Sequence, residues 1–193
     1  MLEMIQQASE SGLPVHADRY PYNAWSTGIS SLLPQWSRQG TMEEVLDRLN
    51  NPAFEPEIRS YAEGRGKRIG GWDRLVINSC HTDENKIFEG RAISECMEMT
   101  GMPAFEFIRK LMMEERGRVK VMGFAMDEGN LHKVLSSPLV RVGSDGSAVA
   151  PTGELYGGKP HPRYYGTFPR VLGKYCREEK LFDVATTVQK MTS

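Results

Sequence analysis

Asp145 stands where an apolar run stops. Leu139-Val140-Arg141-Val142 is rich in β-branched residues and is cut off by Gly143-Ser144-Asp145-Gly146, the pattern of a buried strand that hands an acidic side chain to its C-terminal edge. Gly143 and Gly146 let the backbone turn there as a side chain would not. In α/β folds that edge is where ligands and reacting groups collect. An Asp in this position also caps turns, and a Ser-Asp-Gly triplet by itself reads first as that. The residues downstream shift the balance toward chemistry. Pro151, Gly153, Gly157, Gly158 and Pro160 make a long loop that ends in His161-Pro162-Arg163-Tyr164-Tyr165-Gly166-Thr167-Phe168-Pro169-Arg170-Val171-Leu172-Gly173. Long Gly/Pro loops in compact domains are mostly functional or disordered, and an aromatic and basic cluster is unlike a linker.

Two further groups of residues could do chemistry. Val15-His16-Ala17-Asp18-Arg19-Tyr20 is a strand by its alternation and its flanking Pro14 and Pro21, and His16, Asp18 and Tyr20 share one face. In a barrel strand that face can look into the pore, so His16 is either a metal ligand or a hydrogen-bonded core histidine. Cys80-His81, with Asp83 and Glu84 nearby, resembles a metal site only superficially, because no second His or Cys at ligand spacing supports it.

The Gly-Ser-Asp-Gly turn, His161-Pro162-Arg163-x-x-Gly166-Thr167-Phe168-Pro169-Arg170-Val171-Leu172-Gly173 and the closing Lys190-Met191-Thr192-Ser193, together with Asp18-Arg19-Tyr20-Pro21-Tyr22, Ala24 and Ser26-Thr27, resemble the N-acyl-D-amino-acid deacylases (D-aminoacylases) of the amidohydrolase superfamily. The likeness is spread over nearly the whole chain and is weakest in the middle. It implies an α/β fold, a partial (β/α)8 TIM-type barrel contributing its last three strands, with a mostly helical insertion over residues 52–118 that lies over the active site as a lid. On this reading residues 1–193 are a fragment of a larger metal-dependent amidohydrolase, inactive alone, because the family's His-x-His, Cys and His ligands fall on earlier strands.

The elements that must position these residues can be read in order. A helix from Met1 to Ser11 breaks at Gly12 and leads into the His16 strand, expected as the sixth of the barrel. Residues 25–40 form an apolar loop carrying Ile29, Leu32, Leu33 and Trp36. Thr41-Met42-Glu43-Glu44 is a capping box opening a helix to about Asn50. Within 52–118, a charged helix from Glu57 to Arg68 is expected to break at Gly64, Gly66, Gly70 and Gly71. A strand at Leu75-Val76-Ile77 and helices at Arg91–Thr100 and Pro103–Glu115 come next, with Met97, Met99, Met102, Met112 and Met113 filling the seam between those helices. Arg118–Phe124 is expected as the seventh strand. A helix beginning at Asp127 and Glu128 succeeds it, with His132 facing solvent, and two closing helices span Tyr165–Arg177 and Phe182–Met191.

The resemblance also implies chemistry. Zn²⁺, in the whole enzyme, lowers the pKa of a bound water to roughly 7 and polarises the scissile carbonyl, and Asp145 matches the carboxylate that takes the water's proton and returns it to nitrogen. Asp145 could also ligate a metal, as could His16. Arg163 matches the position that grips the substrate's free α-carboxylate, a task suited to a planar guanidinium. His161 orders that loop or touches substrate, and Tyr22 and Ser26 line the acyl pocket. The substrate expected is a small N-acyl-D-amino acid whose linear amide is hydrolysed. The alternatives are a cyclic-amide hydrolase, hydantoinase-like or dihydroorotase-like, against which Tyr22 stands where a His is usual, and a non-catalytic scaffold homologue.

Composition narrows the partners. With 24 basic and 25 acidic residues the charge is balanced, which excludes a nucleic-acid or membrane-surface footprint. The sequence has no apolar run of membrane-spanning length and no signal-peptide pattern. The three cysteines, Cys80, Cys96 and Cys176, read as reduced buried thiols of a cytoplasmic protein. Self-association through exposed barrel edges stays open.

Overall fold

The computed structural model describes residues 2–192. Met1, expected in the opening helix, and Ser193, the last residue of the Lys-Met-Thr-Ser motif, lie outside the described residues. Among the described residues, five short strands and eight α-helices form two compact units.

The first unit holds described residues 2–23, 126–156 and 162–192. Helix α1 (Leu2–Glu10) leads into strand β1 (Ala17–Arg19), which pairs in parallel with β5 (Val140–Val142) in the register Ala17–Val140, Asp18–Arg141 and Arg19–Val142. Helix α6 (Glu128–Ser136) is capped by Asp127, whose carboxylate accepts the Asn130 N–H at 2.8 Å. Helix α7 (Arg163–Arg170) contains Pro169, which cannot donate to the preceding turn. The chain continues from it as a π-helix over Val171–Glu178 before α8 (Val184–Thr192). Lys190 of α8 is buried, and its ammonium donates to the carbonyls of Ser137 (2.6 Å) and Val140 (2.9 Å). This ties the last helix to the start of β5.

The second unit holds 24–125 and 157–161. Its sheet is antiparallel, in the order β2 (Trp25–Gly28), β4 (Lys120–Gly123), β3 (Leu75–Ser79). Around it lie α2 (Met42–Asn50), α3 (Glu55–Ile69), α4 (Ile93–Thr100) and α5 (Ala104–Glu114). The capping box at Thr41 and Glu44 is present as expected. Leu75, Ile77, Val121, Ile58, Phe105, Phe107, Ile108 and Leu111 build the core, with Met97, Met102 and Met113 packed at its margin and Met112 inside it. Met99, expected in that seam, is exposed.

Several expectations need correction. Arg118–Phe124 is not a barrel strand succeeding Ala17–Arg19; its core, β4, sits in the antiparallel sheet between β2 and β3. Strands β1 and β5 hydrogen-bond directly, so they are neighbours with no strand between. One parallel pair therefore stands where three strands were expected. A short apolar run carries neither the partner nor the direction of its pairing. The mixed α/β composition holds, while the insertion expected at 52–118 is part of a larger unit, because Ile29, Leu32 and Leu33 are fully buried in that unit's core. The charged helix does not break at Gly64 or Gly66; it runs to Ile69 and ends at Gly70 in the left-handed conformation. Gly66 is a packing residue, since a Cβ there would come within 2.5 Å of the Trp72 ring.

Candidate active site

β5 ends at Val142, and the next residue keeps the strands tied: Gly143 N–H donates to the Arg19 carbonyl at 3.3 Å. A Cβ on Gly143 would lie 3.0 Å from Asp18 Cβ and 3.3 Å from its Cγ, so glycine permits this close approach. Gly146 N–H donates to Ser144 Oγ at 3.3 Å, closing a small turn. Asp145 sits in that turn with φ +46°, in the left-handed region that Asp and Asn tolerate best among residues with a Cβ. Its side chain is 71% exposed. With Asp18, Arg19, Tyr20 and Gly143 it lines a cavity of about 340 Å³.

Arg163 opens α7 and is the reverse of Asp145 in exposure. Its side chain is only 6% exposed, and Nη2 lies 3.0 Å from Asp145 Oδ2. The guanidinium stacks over Tyr20, 4.8 Å from the ring centroid, and lies 5.5 Å from that of Tyr164; such faces attract a cation. Thr167 Oγ1 donates to the Arg163 carbonyl at 2.8 Å within the same helix. One turn further, Arg170 Nε donates to the Pro21 carbonyl at 2.7 Å and its guanidinium covers the Tyr22 ring at 4.9 Å. The Tyr22 hydroxyl donates to the Pro162 carbonyl at 3.4 Å. Burial pushes the Tyr22 phenol up, with Arg170 pulling the other way. The Asp18–Tyr22 motif and the Arg163–Arg170 helix are thus one packed assembly that points Arg163 at Asp145.

The other expected site residues divide. Tyr22 supports the assembly and does not line the cavity. His16 precedes β1, is exposed and does not line the cavity either. Ser26 and His161 belong to the second unit. There Ser26 Oγ accepts from Asn78 Nδ2 at 3.1 Å, and His161, fully buried, places Nε2 3.0 Å from the Ala24 carbonyl. A carbonyl only accepts, so the proton sits on Nε2. Lys159 N–H donates to the Asn78 carbonyl at 2.7 Å. His161 therefore orders the end of its loop. Sequence reading missed Tyr20 and Tyr164 as the faces that hold Arg163; the available signal was aromatic residues at alternate strand positions and beside the arginine.

His132, expected in solvent, packs edge-on to Tyr175 with centroids 5.6 Å apart. Glu128, His132 and Glu179 bring their ligand atoms within 4.8 Å of one another. Lys174 already pairs with Glu128 and lies 3.4 Å from Glu179, and the Tyr175 hydroxyl donates to Glu128 at 2.9 Å. An ammonium holds the place that a metal ion would need, so this is an ionic cluster of the helices. At Cys80, burial and then the charge of Glu115 push the thiol up to about 12, and among the described residues no cluster of three ligand atoms forms around Cys80 and His81.

No family model matches the chain. Over 119 residues it is 37% identical to the D-aminoacylase of Alcaligenes xylosoxydans xylosoxydans, covering 62% of this chain and 22% of that protein. It is 33% identical over 101 residues to the N-acyl-D-aspartate deacylase of the same organism, covering 49% and 19%. Among solved structures, a D-aminoacylase reported to define a novel subset of amidohydrolases matches with a TM-score of 0.63 at 28% identity, covering 98% of this chain and 30% of that one. The N-acyl-D-glutamate deacylase of Bordetella bronchiseptica, solved with zinc and a phosphonate inhibitor that mimics the tetrahedral intermediate, matches with a TM-score of 0.66 at 25% identity and the same coverage. In fold the chain is similar to a solved protein described as an amidohydrolase. In sequence it is similar to the D-aminoacylases and N-acyl-D-amino-acid deacylases. The chain spans about a fifth of the length of the curated relatives it matches. Among the described residues no helix is long and apolar enough to cross a membrane.

Proposed function

We infer that the whole protein hydrolyses the linear amide of N-acyl-D-amino acids, with Asp145 moving the proton and Arg163 holding the substrate's α-carboxylate. The observation that carries this reading is the pairing itself: a buried guanidinium, fixed by Tyr20 and Tyr164, facing an exposed carboxylate at the end of a strand. A buried arginine needs an anion, and a planar fork binds a carboxylate in a defined orientation. Holding the α-carboxylate fixes where the acylated nitrogen lies, and so which face of the amide meets Asp145.

One solved protein similar to this chain holds zinc, and the donor set here tests whether such an ion fits. Asp145 offers an exposed carboxylate in the same cavity as Asp18, and carboxylate oxygen is a normal zinc donor. A catalytic zinc takes about three protein donors, so Asp145 supplies one and the others come from elsewhere in the protein. When bound, the metal supplies an acidified water and a polarised carbonyl. Asp145 accepts the water's proton and then delivers it to the departing nitrogen, giving a free D-amino acid and the carboxylic acid.

The test is an assay of the full-length protein on N-acetyl-D-methionine, N-acetyl-L-methionine and dihydrouracil. Free D-methionine with little L-methionine is the expected result. Turnover of dihydrouracil alone would overturn the reading in favour of a cyclic-amide hydrolase.

A further inference from the structure

We propose that Arg170 is a positioning residue, which fixes where Arg163 presents its guanidinium and so how strongly the site prefers an acid substrate to its neutral analogue. This rests on the proposed deacylase function and adds a residue to it. Arg163 and Arg170 open and close α7. Seven residues make about two helical turns, so both arginines leave the helix from one face, about 10 Å apart along the axis. Each lies over a tyrosine of the Tyr20-Pro21-Tyr22 segment, Arg163 over Tyr20 at 4.8 Å and Arg170 over Tyr22 at 4.9 Å. Helix and segment therefore meet along two rungs. Tyr20, in the first rung, lines the cavity with Asp145; neither Tyr22 nor Arg170 does. The second rung is the braced one. Arg170 Nε donates to the Pro21 carbonyl at 2.7 Å, and its guanidinium also lies 5.9 Å from the Tyr175 ring centroid. An arginine held by a carbonyl and by ring faces fixes a direction, because its planar group has one good seat there. The Tyr22 hydroxyl donates to the carbonyl of Pro162, the residue before Arg163, at 3.4 Å. Gly166, between the two arginines, makes room for this: a Cβ there would lie 2.5 Å from Tyr22 Oη. Pro21, which Arg170 grips, directly follows Tyr20, so the second rung sets how far Tyr20 stands from the helix that carries Arg163. If that rung slackens, Arg163 keeps its charge and drifts from the substrate's carboxylate. A substrate without the carboxylate does not feel the drift.

The experiment measures kcat/KM on full-length, metal-loaded protein for N-acetyl-D-methionine and for N-acetyl-D-methioninamide, and reads their ratio. Where the amide turns over too slowly, N-methanesulfonyl-D-methionine and its carboxamide, titrated by calorimetry, give the same ratio as affinities. Arg170→Met keeps the apolar stem and removes the donor and the cation. The acid-to-amide ratio is expected to fall, approaching the ~10²-fold that a misplacement of about 1 Å can cost, with most of the fall in KM for the acid. Gly166→Ala is the second variant, and it keeps the test open if Arg170→Met does not fold. Alanine suits a helix better than glycine, and within 4 Å its Cβ meets only Tyr22, so the same fall is expected from a displaced second rung. A brace that merely stabilises the fold would lower both substrates alike. An unchanged ratio in both variants, or equal losses on acid and amide, therefore overturns the positioning role. Arg163→Ala separates this failure from a failure of the function. A wild-type ratio in Arg163→Ala means that Arg163 does not hold the carboxylate, and the reading of the site falls with it. A collapsed ratio in Arg163→Ala beside normal ratios in Arg170→Met and Gly166→Ala overturns the positioning alone.

Discussion

Glu115 comes directly after the last residue of α5 with its side chain buried at 0% exposure, yet it has no cationic partner among the described residues. Its carboxylate is instead ringed by donors. His81 N–H reaches Oε2 at 2.5 Å, Thr82 N–H lies 3.2 Å from both oxygens, the Thr82 hydroxyl donates to Oε1, and Asn85 Nδ2 donates to Oε1 at 2.8 Å. This carboxylate is what holds the segment 81–85 after β3. Glu115→Gln keeps the shape but turns one oxygen into an NH₂ group. Neither orientation of the amide works, because both oxygens accept, and a donor would then face the backbone N–H of His81 or Thr82. Hydrogen bonds to a charged group contribute about 1.5–3 kcal/mol each, and a buried donor left unmet costs about 1–3 kcal/mol. With one face of the ring disrupted, a loss of about 3 kcal/mol is expected. Native-state hydrogen exchange on the full-length protein reads it locally, with the His81 and Thr82 amides losing about a hundredfold in protection, which is about 3 kcal/mol at 1.4 kcal/mol per factor of ten. Unchanged protection at both amides would show that Glu115 does not hold the segment.

The same site has a signed pH dependence. Burial pushes the Glu115 carboxyl up, and the hydrogen bonds from Thr82, Asn85 and His81 more than offset it, leaving it below its ordinary 4.5. A carboxylate depressed in the folded state contributes stability that is fully present above the unfolded value and is lost as pH falls through the folded one. The 81–85 segment is therefore expected to loosen only below about pH 4.5, and Glu115→Gln to remove that acid dependence.

Three further outcomes are expected. In the full-length enzyme, Asp145→Asn should cut kcat by about 10²–10⁴-fold, the usual cost of losing a general acid–base group, with metal content measured alongside because the same carboxylate is a metal donor; near-normal kcat would return Asp145 to turn capping. Arg163→Lys should lower kcat/KM for N-acyl-D-amino acids much more than for the matching carboxamides, and equal losses on both would make Arg163 structural. Burial pushes the thiols of Cys80 and Cys96 up to about 12 and about 11, so iodoacetamide at pH 8 should leave both unmodified in the folded protein, which peptide mass mapping would check.

How much of the fold and site was legible in the sequence depends on how local each determinant is. Thr41 and Glu44 satisfy each other across one helical turn, so the capping box could be read directly. Asp145 and Arg163 could be singled out from the glycines and the His-Pro-Arg loop around them. Their ion pair could not, because it depends on Tyr20 arriving from β1 and on Arg170 tying α7 to Pro21, contacts between segments far apart in the chain. Lys120–Gly123 shows the same limit for strands. Its apolar run says that it is buried, but its place beside Trp25–Gly28 and Leu75–Ser79 is set by which edges remain free once the unit's core forms. Gly66 and Glu115 share one feature. A glycine in a charged helix reads as a break, and nothing beside Glu115 in the sequence, between Glu114 and Arg116, marks it as buried. Each is decided by one distant group, the Trp72 ring in one case and the His81 and Thr82 amides in the other. Where such a group arrives, local propensity yields to it, since a ring with no room or a buried N–H with no acceptor costs more than a helix preference is worth.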